Sequence, residues 1–168
     1  MKILETDRLT LRHLTTDDAP FILALLNDPD FLRFIGDKGV RSLGDARQYI
    51  IDGPMASYAR LGFGLFLVEL NNERIPIGIC GLIKRDALEN VDIGFAFMPA
   101  YRRGGYGFEA ALAVRDYAFN VIGLKRIAAI TNPDNAGSIR LLEKIGLRFE
   151  RMIKLTTESS EIRLYLSE

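Results

Sequence analysis

Alternating and continuous apolar segments predict the strands of this chain. In the segment RLTLRHL at residues 8–14, polar and apolar residues alternate at almost every position, which is typical of a half-buried strand. Two apolar runs, at 63–70 and 75–83, are joined by a turn at Asn71 and Asn72 and predict an antiparallel hairpin. A further strand, NVDIGFAFM at 90–98, ends against Pro99. We expect three more strands, at residues 126–131, 148–156 and 161–166.

Helix-start residues separate these strands. Thr15 or Thr16 can cap the segment 17–28, whose acidic first turn suits the positive end of a helix dipole. Ser42 with Asp45 resembles a capping box and opens a second helix that we expect to reach Tyr58. Two later helices are expected, from the glycines near 105 to about 121 and from 135 to 145. The order β-α-α-β-β-β-α-β-α-β-β predicts one α/β (α+β) domain over 1–168, with a mixed sheet of about seven strands and about four helices.

Composition narrows the function classes. Lysine plus arginine equal aspartate plus glutamate at 22 each, so bulk charge gives no reason to expect a nucleic-acid partner. No apolar run approaches the roughly 20 residues that a membrane span needs, and Cys80 is the only cysteine. We therefore expect a cytoplasmic protein with no membrane partner. A single histidine, His13, and a single cysteine also argue against a zinc site, so we expect no metal.

A glycine cluster stands out at the start of the third predicted helix. Gly104, Gly105 and Gly107 follow the pair Arg102 and Arg103. Glycine in a helix costs about 1 kcal/mol relative to alanine, so the cluster predicts a backbone that approaches a ligand closely. The N–H groups of a first helical turn are unpaired and the dipole is positive there, so a phosphate or pyrophosphate is the expected ligand. The two arginines can add charge.

Two nucleotide-binding patterns fit this cluster poorly. The nucleoside-triphosphate loop needs a lysine and a serine or threonine after its last glycine, but a phenylalanine and a glutamate follow here. Gly105, Gly107 and Ala110 satisfy the dinucleotide pattern G-x-G-x-x-A. However, residues 99–103 separate the strand from the glycines, and Lys125 lies where an acidic ribose-binding residue is expected. A nicotinamide-dependent oxidoreductase is therefore a weak alternative.

A third pattern, R-x-x-G-x-G, is formed by Arg102, Gly105 and Gly107. It resembles the acetyl-coenzyme A signature of the GCN5-related N-acetyltransferase superfamily. The segment NPDNAGSIRLLEKIGL at 132–147 resembles the second cofactor segment of that family, and LETDRLTLRHLTTDDA at 4–19 resembles the opening of the branch that acetylates ribosomal-protein N-termini. Three blocks in the family's order cover nearly the whole chain, which is identified on this basis as a member of the superfamily.

The resemblance implies a fold and a reaction. An N-acetyltransferase of this fold moves the acetyl group of acetyl-coenzyme A directly to a primary amine in a ternary complex, without a metal. The amine would belong to a peptide N-terminus, a polyamine or an antibiotic-like compound. In the family, the strand at 90–98 parts from its neighbour and its backbone meets the pantetheine and the thioester. The implied cofactor-binding residues are Phe97, Met98, Arg102, Arg103, Gly104, Gly105, Tyr106, Gly107, Phe108, Asn135 and Ser138.

The resemblance also suggests catalytic residues. Many relatives protonate the leaving thiolate with a tyrosine at the position of Leu142, which cannot do so here, and we therefore assign this role to Ser138. Asp92 stands where the branch carries a glutamate and is our candidate for the general base. Glu69 and a chain of waters are alternatives. Asp92 could also be a salt-bridged strand carboxylate, and Asn135 a simple helix cap.

Two features leave alternatives open. A coenzyme A-binding sensor or scaffold without turnover is the rival function, because the position of the usual tyrosine is Leu142. The last strand, EIRLYL, could pair across a dimer or finish its own sheet, so the protein is expected to be a monomer or a homodimer. The run KRD at 84–86 predicts a solvated turn.

Overall fold

The computed structural model describes residues 1–168. Eight strands form one sheet: β1 (Lys2–Glu5), β2 (Leu9–His13), β3 (Leu65–Leu70), β4 (Pro76–Ile83), β5 (Asp92–Phe97), β6 (Ala128–Thr131), β7 (Arg148–Ile153) and β8 (Ile162–Leu166). Six α-helices accompany them: α1 (Ala19–Leu26), α2 (Pro29–Phe34), α3 (Leu43–Ile50), α4 (Ala56–Leu61), α5 (Tyr106–Tyr117) and α6 (Ala136–Lys144). None of the helices is both long and apolar enough to cross a membrane.

The strands lie in the order β1-β2-β3-β4-β5-β6-β8-β7. All neighbours are antiparallel except β5 and β6, which are parallel. The predicted fold class, a mixed and mostly antiparallel α/β sheet, is confirmed. Strand β8 lies between β6 and β7, so the last strand of the chain finishes its own sheet and has no free edge.

The sheet has one strand more than predicted, because β1 carries little local signal. It is only four residues long, and its pairing with β2 contains a register shift between Lys2 and Leu4. A strand this short is stabilised by its partner rather than by its own alternation. The pairing forms a tight β1–β2 turn at residues 6–8.

The helices begin largely where the sequence predicts but are more divided. Thr15 caps a short 3-10 turn, and the Ser42 hydroxyl accepts a hydrogen bond from the Asp45 N–H at 3.0 Å, as expected of a helix cap. The second predicted helix is interrupted between α3 and α4 by a π-helical turn at Ile51–Met55 that contains Pro54. Proline lacks the N–H that a regular helix needs, which explains the break. The additional helix α2 begins at its own cap, Asp28.

Helices cover both faces of the sheet. One core joins α5 and α6 to residues such as Phe66 and Ile93, and the other joins α1 and α3 to residues such as Leu67 and Ile79. Side chains alternate between the faces of a strand. On β5, the odd-numbered side chains therefore face α5 and α6, while the even-numbered ones face the layer of α1 and α3.

A gap opens in the middle of the sheet between β5 and β6. These two strands share a single register pair, Asp92 with Ala128. Beyond it, β6 remains paired with β8 on its other side through Thr131, while β5 continues with β4. The two strands thus part after their first residues, as the family resemblance implies for this segment.

Candidate active site

Backbone groups of β5 face the gap. The Met98 N–H donates to the Ile77 carbonyl at 2.9 Å, and the Met98 carbonyl accepts from the Tyr101 N–H at 2.9 Å. Backbone groups along an antiparallel strand alternate in direction, so the groups of Phe95 and Phe97 point away from β4, into the gap. Of the predicted pair, Phe97 therefore presents its backbone to the gap, whereas the Met98 backbone is bonded within the protein. The sequence pattern gave no indication that the backbone of Phe95 would also face the gap.

The glycine cluster forms a loop of free N–H groups at the start of α5. No backbone N–H from Arg103 to Phe108 donates to a protein acceptor, and the first to do so is that of Glu109, which bonds the Gly105 carbonyl at 3.0 Å. Gly104 and Gly105 have φ angles of +109° and +82°, which side-chain-bearing residues rarely adopt. Six consecutive donors at the positive end of a twelve-residue helix are suited to a polyanion.

Gly107 serves a different physical need, because its φ angle is not positive. A Cβ there would lie 3.0 Å from Cδ1 of Leu141 and 3.6 Å from Cε2 of Phe97. The missing side chain therefore lets the first turn of α5 pack closely against α6 and the end of β5. This contact places the free N–H groups beside the gap.

The two arginines before the glycines have different surroundings. Arg102 donates from Nη2 to Asp28 and from Nη1 to Asp30, both at 2.5 Å, and from Nε to the Phe97 carbonyl at 2.9 Å. Its charge is thus paired, and it ties the loop to the start of α2. Arg103 is exposed and has no hydrogen bond or ion pair from its side chain. Of the two predicted cationic side chains, only Arg103 is available to a ligand.

Helix α6 packs against the first turn of α5 through Leu141. The Asn135 side chain accepts a hydrogen bond from the Ser138 N–H at 3.2 Å, so Asn135 caps the helix. Ser138 and Leu141 lie three residues apart and therefore share a face of α6, and Leu141 adjoins Gly107. The Ser138 hydroxyl has no partner within the protein, whereas Leu142 is only 1% exposed and belongs to the core.

Asp92 lies where β5 and β6 part. It is 1% exposed, and its carboxylate accepts a hydrogen bond from Nε of Arg85 at 3.0 Å. Burial raises the pKa of Asp92 to about 6, against the opposing effect of the nearby Arg85 cation. A buried carboxyl group with a pKa close to neutral can exchange a proton at physiological pH.

Arg85 is a site residue that the sequence pattern did not predict. The run KRD predicted a solvated turn, but Arg85 pairs with the buried Asp92, seven residues away.

Burial lowers the pKa of Lys38, and the charge of Arg85 lowers it further. Burial also raises the pKa of Tyr49, which the same charge opposes. Lys38 and Tyr49 both line a surface cavity of about 460 Å³ between the segment 38–40 and α3.

Glu69, the alternative base, lies far from Asp92. The β4 partners of these two acids are Pro76 and Ile83, so about 23 Å of strand separates them at roughly 3.3 Å per residue. Glu69 is 3% exposed and pairs with Arg12 at 3.3 Å. The structure therefore separates Glu69 from Asp92: Glu69 lies on β3, near the level of the Phe97 end of β5, with β4 between the two strands.

Comparisons with known proteins agree with this geometry. A family model described as an acetyltransferase (GNAT) domain matches residues 8–148. The N-acetyltransferase YoaA of Bacillus subtilis is 30% identical over 154 residues, which are 90% of this chain and 86% of that protein. A GNAT acetyltransferase structure from Bacillus anthracis superimposes with a TM-score of 0.81 at 30% identity, covering 99% of this chain and 97% of the other.

A third comparison concerns the fold of a coenzyme A complex. The structure of RimL, a ribosomal L7/L12 α-N-protein acetyltransferase bound to coenzyme A, has a TM-score of 0.83 at 16% identity, covering 99% of this chain and 97% of RimL. With its eight-stranded sheet, its parted strands and its free N–H loop, the chain belongs to the GNAT family of acetyl-coenzyme A-dependent acetyltransferases.

Proposed function

We propose that this enzyme transfers the acetyl group directly from acetyl-coenzyme A to a primary amine while both substrates are bound. The backbone N–H groups from Arg103 to Phe108 would hold the diphosphate of the cofactor, with added charge from the Arg103 side chain. The observation that supports this most is that all six N–H groups lack a protein acceptor. Arg102 would keep its place between the loop and Asp28, so we assign it to holding the loop in place.

The thioester end of the cofactor would lie in the gap between β5 and β6. Phe95 offers a backbone donor and acceptor there, and Phe97 offers its N–H, since Arg102 already donates to the Phe97 carbonyl; these groups suit the amides of the pantetheine arm. Asn135 would act by starting α6 beside the cofactor. The Ser138 hydroxyl, which is free of protein partners and shares a face with Leu141, would protonate the departing thiolate.

Asp92 would accept the proton of the attacking amine. With a pKa of about 6, its carboxyl group is mostly ionised at pH 7 and can take up a proton. Because it is only 1% exposed, we propose that the proton reaches it through a bound water. Acceptor amines with a pKa near 8, as in peptide N-termini, need less help from so weak a base than lysine-like amines near 10.4.

The Asp92 carboxylate is a weaker base than any of these amines, and the difference is smallest for a peptide N-terminus. We therefore favour a peptide N-terminus as the acceptor, ahead of polyamines and antibiotic-like amines. An acceptor panel would test the assignment, with release of free thiol from acetyl-coenzyme A as the readout. The panel would contain peptides of varied first residue, spermidine and an aminoglycoside. The same peptides with blocked N-termini are the matched controls. We expect turnover on free N-termini, and thiol release at the uncatalysed rate on every amine would overturn the proposal.

We propose a cytoplasmic location and a monomer or homodimer. Cys80 is the only cysteine of the chain and is buried as a free thiol, which suits a reducing compartment. The free edges of the sheet are β1 and β7. A dimer extended through the sheet would therefore use one of these strands.

Removing Arg85 should shift the pH dependence of catalysis upward. The Arg85 cation stabilises the ionised form of Asp92, so Arg85→Ala should raise the pKa of Asp92 further above its ordinary value. The acidic limb of kcat/KM for the acceptor, expected at about pH 6 in the wild type, should move to higher pH. Arg85→Lys, which keeps the charge, should leave it nearly in place. If the acidic limb stays at the same pH in Arg85→Ala, Asp92 is not the group that causes it.

Removing the Ser138 hydroxyl should slow turnover without weakening cofactor binding. We expect Ser138→Ala to lower kcat about tenfold, less than most general acids contribute because a thiolate is already a tolerable leaving group. Affinity for coenzyme A should remain, since the cap to Asn135 uses the Ser138 backbone N–H. Ser138→Thr keeps a hydroxyl and is the control. Equal turnover in Ser138→Ala and the wild type would remove Ser138 from the mechanism.

A further inference from the structure

The first turn of α5 carries a carboxylate that is bound by the β1–β2 turn. Glu109 accepts hydrogen bonds from the Thr6 hydroxyl at 2.5 Å, from the Arg8 backbone N–H at 3.0 Å and from Arg8 Nε at 2.7 Å. The residues are about a hundred positions apart in the chain. Burial of Glu109 acts to raise its pKa, but the hydrogen bonds from Thr6 and Arg8 outweigh it and the pKa is lowered. The side chain is therefore ionised at neutral pH.

The same arginine also contacts the glycine loop. Arg8 donates from Nη1 to the Gly104 carbonyl at 2.9 Å, and its guanidinium lies over the Tyr106 ring, 4.3 Å from the centroid. A Cβ on Gly105 would lie 3.5 Å from Nη2 of Arg8. One side chain thus joins the loop, the first helical turn and the β1–β2 turn.

Two physical problems of an anion-binding loop are met by these contacts. Glycines have the most backbone freedom to lose, so a loop built on Gly104 and Gly105 needs outside contacts to hold its N–H groups in one arrangement. In addition, the negative charge of Glu109 lies in the first turn of the helix, where it would repel a bound anion. The Arg8 cation, 2.7 Å away, offsets that charge.

We propose that Thr6, Arg8 and Glu109 are positioning residues, here called the loop clamp, that hold the N–H groups of residues 103–108 ready for the diphosphate of coenzyme A. The inference rests on the proposed function of that loop and extends it to residues outside the R-x-x-G-x-G pattern. The clamp acts on cofactor affinity and has no part in the chemical step. The forked shape of the Arg8 guanidinium matters, because this one group must donate to both the Glu109 carboxylate and the Gly104 carbonyl.

Calorimetry with coenzyme A, combined with steady-state kinetics, tests the clamp. We expect Arg8→Ala and Arg8→Lys each to weaken coenzyme A binding about tenfold or more, the effect of one lost charge-assisted hydrogen bond. Glu109→Gln should weaken it less, because this variant loses the clamp but also the charge that repels the anion. KM for acetyl-coenzyme A should rise by a similar factor, and kcat at saturation should stay within about twofold. Arg8→Ala combined with Glu109→Gln should be no worse than the more affected single variant, since both break one unit.

Matched control variants distinguish the loss of the clamp from a general loss of helix packing. Arg115→Ala removes an arginine on the same helix that also donates to a backbone carbonyl, that of Ile145 at 2.7 Å, and it should leave coenzyme A affinity unchanged. Wild-type affinity in Arg8→Lys, or kcat falling with KM unchanged, would overturn the clamp. If Gly105→Val weakens binding while the clamp variants do not, only the clamp fails. If Gly105→Val also binds normally, the loop itself is not the site and the proposed function fails with it.

Discussion

Replacing Gly105 by valine should weaken coenzyme A binding by roughly one to three orders of magnitude, the value of one or two hydrogen bonds to a charged group. Gly105 is the cap of α5 and has a φ angle of +82°. A β-branched residue is strongly disfavoured in this region, so the loop would relax and turn its N–H groups away from the cofactor. Titration calorimetry with coenzyme A measures the loss.

The control for this variant lies at the end of the π-helical turn Ala118–Ile122, which continues α5. Gly123 has a φ angle of +86° and open space where its Cβ would be. Gly123→Val carries the same backbone penalty about 25 Å away, at roughly 1.5 Å per helical residue. We expect it to lower the melting temperature and to leave coenzyme A affinity intact. Equal affinity in the two valine variants would contradict the role of the loop.

Replacing Asp92 by asparagine should lower kcat/KM for the acceptor by about two to four orders of magnitude, the usual contribution of a general base. Asparagine keeps the size of the side chain and can still accept a hydrogen bond from Arg85, so packing should be preserved. The variant should also lose the acidic limb that we expect at about pH 6 in the wild type. Initial rates measured across pH with saturating acetyl-coenzyme A report both effects.

Glu69→Gln is the matched control for the loss of a buried carboxylate. Glu69 is 3% exposed and also paired with an arginine, but it lies about 23 Å along the sheet from Asp92. We expect its kcat/KM and its pH limb to match those of the wild type. An Asp92→Asn enzyme with a wild-type rate and profile would instead favour a water chain as the base.

Local patterns were sufficient to predict the glycine loop and most strands. Gly104 and Gly105 have positive φ angles, which glycine adopts far more readily than other residues. A motif of a few residues is therefore enough to predict this backbone conformation. Two apolar runs with a turn at Asn71 and Asn72 between them likewise identified the hairpin of β3 and β4. Ser42 caps its helix as expected, and Thr15 caps the 3-10 turn that leads into α1, because a cap bonds an N–H only two or three residues away.

The contacts that hold the glycine loop in place join residues that are distant in the chain. Arg8 meets Glu109 across 101 residues, and Arg102 meets Asp28 across 74. No periodicity relates such pairs, because their contact depends on how the sheet is ordered. The Arg85–Asp92 pair was missed for a related reason: it forms because the connection between β4 and β5 turns back on itself and brings Arg85 beside the first residue of β5.

The most direct test of the central claim is a crystal structure of the protein with coenzyme A. We predict diphosphate oxygens within about 2.7–3.2 Å of backbone nitrogens between residues 103 and 108, with the pantetheine arm in the gap between β5 and β6. A diphosphate bound elsewhere, or those N–H groups bonded to protein acceptors in the complex, would contradict the account.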